Sequence, residues 1–138
     1  MGRRSRSLEG LPRISKPPVP DVLRLWHRAG GGRRAAPVPG RLPDRRTATS
    51  FTVPDEIAPE LVWAALDCPG GWSVPLEGRP YVLGRIAARV DELPAPGQRC
   101  VVMGQMTGED GRKAFTVSSL YGPEGALLAT ARGTWIAV

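Results

Sequence analysis

Histidine is almost missing from this sequence, cysteine is scarce, and no apolar run approaches the length needed to cross a membrane. The one histidine, His27, lies among Arg and Gly residues that would not fix its tautomer, so it reads as solvent-exposed rather than as a base or ligand. The two cysteines, Cys68 and Cys100, have no CxxC spacing and are too few for a metal framework. A metal-free, reduced, intracellular chain is the simplest inference, with one disulfide left open. The basic N-terminus is not followed by the apolar core of a secretory signal, so cytoplasm is the expected location. Gly30-Gly31-Gly32 has no strand before it and no Gly-Lys-Ser/Thr after it, which excludes a phosphate loop. Nothing in the chain calls for a bound cofactor.

At 138 residues the chain can build one domain with a real core and is too short for two ordinary ones. The formal charge of +6 first suggests nucleic acid or anionic lipid. Its distribution says otherwise. Residues 1–50 carry 12 Lys/Arg against 3 Asp/Glu, a net of +9, whereas residues 51–138 carry 7 against 10, a net of −3. The basicity belongs to a leader that has Trp26 as its lone aromatic and no recognisable reading motif, so nucleic-acid binding is the least favoured function.

Residues 1–50 are broken by Pro17-Pro18-Val19-Pro20 and Pro37-Val38-Pro39-Gly40 and are expected to be a disordered leader, with at most one short element in Asp21–His27. Translation of GC-rich DNA from too early a start, or in a shifted frame, would give this composition. Reading the nucleotide sequence in all three frames tests that origin.

The domain proper is expected over residues 51–138. Phe51-Thr52-Val53 suggests a short strand, and Glu56 to Leu66 a helix, with Pro59 tolerated in its first turn and Pro69-Gly70-Gly71 ending it. Because Leu61, Val62, Trp63, Ala64, Ala65 and Leu66 leave almost no polar face, the helix is expected to be enclosed on all sides. Four strands follow, near residues 81–90, 99–107, 113–121 and 127–138. The last three are joined by tight turns at Asp110-Gly111 and Pro123-Glu124-Gly125. In the third of these strands Ala114, Thr116, Ser118 and Leu120 share one face, and small residues there suit close packing against a helix.

A charge at the end of so apolar a helix needs a reason, because burial disfavours an ionised carboxylate unless it is paired or used in chemistry. Asp67 is therefore the leading candidate residue. It is also accounted for by a helix-end carboxylate satisfied by the N–H groups of Gly70 and Gly71, or by a nearby Arg. Cys68 has no basic partner and reads as a small buried residue. Trp63 and Trp72 suit an acyl pocket or a core or interface position, and Trp135 suits the core. Arg132 interrupts an apolar strand, as a phosphate ligand, an edge charge or a partner for Asp67.

Trp63-Ala-Ala-Leu-Asp-Cys-Pro-Gly-Gly-Trp72 resembles the central helix of the hotdog thioesterase-like family. Gly111–Tyr121 with Leu128–Ile136 resembles its closing hairpin. The resemblance covers about residues 51–138 and implies an α+β hotdog fold, an antiparallel curved sheet wrapped around a central helix. It also implies an acyl-CoA thioester substrate, a homo-oligomer, and Asp67 acting as general base or nucleophile. Trp63, Trp72 and Arg132 are then the candidate substrate-binding residues. Ala58-Pro59-Glu60-Leu61 stands where active members often carry His-Gly-Gly, which keeps open a non-catalytic acyl- or CoA-binding or structural hotdog protein.

Overall fold

A computed structural model of the chain describes residues 40–138. Residues 1–39, with His27 and the Asp21–His27 segment, lie outside the described residues. The elements run β1 (Gly40–Arg41), β2 (Thr47–Thr52), α1 (Pro59–Ser73), β3 (Tyr81–Val90), β4 (Arg99–Asp110), β5 (Lys113–Tyr121) and β6 (Leu127–Ala137), with a 3-10 turn at Pro123–Gly125. All strand pairs are antiparallel, in the spatial order β1-β2-β4-β5-β6-β3. This is the curved antiparallel sheet with one helix that the hotdog resemblance implies.

The leader expectation is corrected in its last part. Residues 40–41 and 47–50 are strands, and β2 pairs with β4 from Thr47↔Gly104 to Thr52↔Arg99. Thr-Ala-Thr-Ser looks polar, yet Thr47, Ala48 and Thr49 are all buried. Their β-branched and small side chains fit a covered, pleated surface, which only pairing with β4 provides.

One face of the sheet packs on α1. Val62 and Leu66 of the helix meet Cys100 and Val102 of β4, Leu120 of β5, and Ala129 and Ala131 of β6, with Val53 closing the end. Each large side chain so buried contributes about 1.5–3 kcal/mol. Thr116 and Ser118 of β5, small as the sequence suggests, lie under Gly70. The opposite face carries a second cluster of Ala48, Val101, Met103 and Tyr121.

Two expectations for the helix are corrected. It continues through Pro69-Gly70-Gly71 to Ser73. Pro69 and the glycines are poor helix formers, but their small or absent side chains let the last turn sit directly on the sheet, and tertiary packing outweighs propensity. Nor is the helix enclosed all round. Val62, Leu66, Pro69, Gly70, Gly71 and Ser73 are buried, whereas Leu61, Trp63 and Trp72 keep about two-fifths of their surface exposed, at 38%, 39% and 42%. The sheet covers one side of a helix, and a sequence apolar on both sides does not say whether the second side is covered by the same chain.

Candidate active site

Asp67 projects from the middle third of α1, between buried Leu66 and exposed Cys68. Its Oδ1 is fully enclosed and makes no hydrogen bond among the described residues, so satisfaction of that oxygen by Gly70, Gly71 or an Arg is not what the structure shows. Desolvation pushes the Asp67 carboxyl above the usual carboxylate range.

Helical spacing puts Trp63, Asp67 and Gly71 on one flank, four residues apart. Gly71 abuts the indole of Trp135 on β6; an ideal Cβ there would lie 2.7 Å from the ring. That flank therefore faces β6 and, beyond it, β3, an edge strand of the sheet among the described residues. The Trp135 ring is fixed from below, its Nε1 donating to Thr116 Oγ1 at 3.1 Å. Trp135 is partly buried rather than a full core residue. Its place beside the Asp67 flank went unseen in the sequence, where the available signal was the pair of glycines, Gly71 and Gly133, that leave room for the ring.

The other candidates are dispersed. Trp72 lies five positions beyond Asp67, on the outward side of the helix with Cys68. Arg132 pairs with Val117 in the β5–β6 ladder, while its neighbour Ala131 belongs to the cluster under the helix, so strand alternation places Arg132 on the far face of the sheet. It cannot serve there as a partner for Asp67. With Arg85, Thr107, Phe115 and Thr134 it lines a shallow groove of about 410 Å³. A larger cleft of about 750 Å³ lies past the C-terminal end of the helix, between Arg41, Ser73, Gln105 and Glu109. Arg41 bridges its rim, donating to Val74 O at 3.0 Å and pairing with Glu77 at 3.1 Å.

At the start of the helix Ala58 gives no side-chain cap, Pro59 has no N–H, and the N–H of Leu61 donates to Ala58 O at 3.0 Å. The helix start thus offers a carbonyl oxygen few free donors. Among the described residues, no group of three or more His, Cys, Asp or Glu side chains is placed to hold a metal ion, and no helix is long and apolar enough to cross a membrane.

Comparison with solved structures yields the fold. The chain is similar to a hypothetical thioesterase protein with coenzyme A from Streptococcus pneumoniae TIGR4, at TM-score 0.67 and 11% identity over 75% of this chain and 89% of that one. It is similar to smu.793 from Streptococcus mutans UA159 bound to acetyl CoA, at TM-score 0.67 and 9% identity over 78% and 92%. It is also similar to the E. coli PaaI protein from the phenylacetic acid degradation operon, at TM-score 0.63 and 10% identity over 68% and 73%. No family model matches the sequence, and no curated protein matches it. The chain has the hotdog fold, and its structural neighbours include a hypothetical thioesterase protein and a thioesterase superfamily protein.

Proposed function

We propose that this protein hydrolyses an acyl-CoA thioester, as a cytoplasmic homodimer, with Asp67 as general base. The observation that carries this reading is Asp67 Oδ1, enclosed and, among the described residues, without a hydrogen bond, on the helix flank that faces the β3 edge of the sheet. A carboxylate in that state takes a proton from water as the water oxygen attacks the thioester carbonyl carbon. The C–S bond then breaks, and the departing thiolate receives a proton. Coenzyme A and acetyl CoA in the neighbouring structures support the choice of thioester.

The geometry of β3 supports the dimer. Among the described residues this strand pairs with β6 alone, and Val82 and Leu83 keep 50% and 38% of their surface exposed. A second β3 running antiparallel completes the ladder and brings the two Asp67 flanks toward each other, so that the partner closes the pocket.

A second reading is a binding protein that holds acyl-CoA without turning it over. It is favoured by the helix start, where Pro59 and the engaged N–H of Leu61 weaken any oxyanion site. Turnover of a panel of acyl-CoAs by the wild type and by Asp67→Asn separates the two. The hydrolase loses roughly a hundredfold or more in rate with its fold intact, whereas a wild type that binds acyl-CoA but releases no thiol is the binding protein.

A further inference from the structure

The helix flank that carries Asp67 is bounded on the C-terminal side by a side chain that the helix itself does not supply. Gly71, one turn past Asp67 on the same flank, has no side chain. Its place is filled by the Trp135 indole, which rises from β6, lies over Gly133 and abuts the helix backbone. Gly71 and Gly133 are both required by the ring: ideal Cβ atoms on them would lie 2.7 and 2.9 Å from its carbon and nitrogen atoms. Thr116 Oγ1, accepting from Nε1 at 3.1 Å, stops the ring from swinging aside, and the same hydroxyl lies 3.0 Å from the Cβ position of Gly70. Helix, ring and strand β5 are thus locked together, so the ring is a fixed wall rather than a gate. Trp63 occupies the flank one turn before Asp67. From Trp63 to Gly71 is eight residues, about 12 Å of helix axis.

We propose that Trp135 is a specificity-determining residue, the end wall of the acyl site beside Asp67, and that it restricts the protein to thioesters of short acyl chains. This rests on the acyl-CoA reading above. An acyl group whose carbonyl carbon sits at Asp67 and whose chain runs along the flank toward the C-terminal end of the helix meets the indole within one turn. Trp135 is only partly buried, as a wall facing a site must be.

The test is calorimetric binding of two non-hydrolysable thioether analogues, acetyl-like and decanoyl-like, to the full chain. It does not depend on turnover. The wild type should bind the short analogue at least tenfold more tightly than the long one, since a single methylene in a closed apolar pocket already changes discrimination by roughly tenfold or more. Trp135→Ala should raise affinity for the long analogue at least tenfold while changing the short one by less than about threefold. Trp135→Phe, which keeps most of the ring and loses the bond to Thr116, should shift the ratio in the same direction by a smaller factor. It decides the matter if the Ala variant does not fold. An equal affinity of the wild type for both analogues, or a ratio that the folded variants leave unchanged, overturns the assignment of Trp135. If the wild type binds neither analogue, the acyl-CoA reading fails and the wall falls with it.

Discussion

Gly104 of β4 and Pro69 of α1 meet backbone to backbone: a Cβ on Gly104 would fall on the Pro69 carbonyl group and 2.7 Å from the nitrogen of Gly70. Neither neighbour is the end of a flexible side chain, so nothing yields cheaply. Gly104→Ala should therefore cost about 1–3 kcal/mol, toward the upper end of the usual penalty for overpacking. Urea unfolding with an unchanged m-value measures it; a loss of under half a kilocalorie would mean the helix is not seated as closely as this.

The strand beside Gly104 holds the same carbonyl. Thr47 Oγ1, fully buried, donates to Pro69 O, tying the first long strand to the helix end. Thr47→Val keeps the shape and removes the donor, so the expected cost is about 0.5–1.5 kcal/mol, the net worth of one buried hydrogen bond to a carbonyl that keeps its helical partner. Amide exchange should show the C-terminal turn of the helix opening first in this variant. Unchanged protection there would count against the tie.

Asp67 makes stability depend on pH in a direction opposite to that of a salt-bridged carboxylate. Its folded pKa is raised by desolvation above the ordinary 3.8, so the folded chain holds the proton more tightly than the unfolded one. The resulting stabilisation is fully present below that ordinary value and is lost as pH rises through the folded pKa. Asp67→Asn should accordingly raise the melting temperature at pH 7, with a gain that shrinks as the solution is made acidic. A variant less stable than the wild type at neutral pH would show that the ionised carboxylate is paired after all.

If Asp67 is the base, hydrolysis requires its ionised form, and the rate should rise with pH through an apparent pKa above the normal carboxylate range. A flat profile from pH 4 to pH 7 would remove Asp67 from the rate-determining proton transfer.

Self-association is expected through β3, whose outer side is unpaired among the described residues, with Val82 and Leu83 exposed. Sedimentation at micromolar concentration should give a dimer. A stable monomer would leave the Asp67 flank open to solvent and oppose the proposed site.

Most of the fold was legible in residue order. The strands at 81–90 and 113–121 fall where alternation and turn residues place them, and small Thr116 and Ser118 do face the helix. These features are local, set by period-two alternation, Gly and Pro at turns, and an apolar helical stretch. Asp67 stood out for the same reason, as a charge in an apolar context. What the sequence could not decide was everything that depends on which surfaces meet. Thr47–Ser50 reads as polar leader until β4 pairs with it; Pro69-Gly70-Gly71 reads as a stop until the sheet gives it a seat. Trp72 and Arg132 look like site residues in one dimension, yet helical spacing turns Trp72 outward and strand alternation puts Arg132 on the far side of the sheet. Trp135, sixty-eight positions from Asp67 by number, arrives beside its flank only because β6 passes under the helix at two glycines. Short-range periodicity is written in neighbouring residues, but the pairing of distant surfaces is chosen by packing, and only the folded chain shows it.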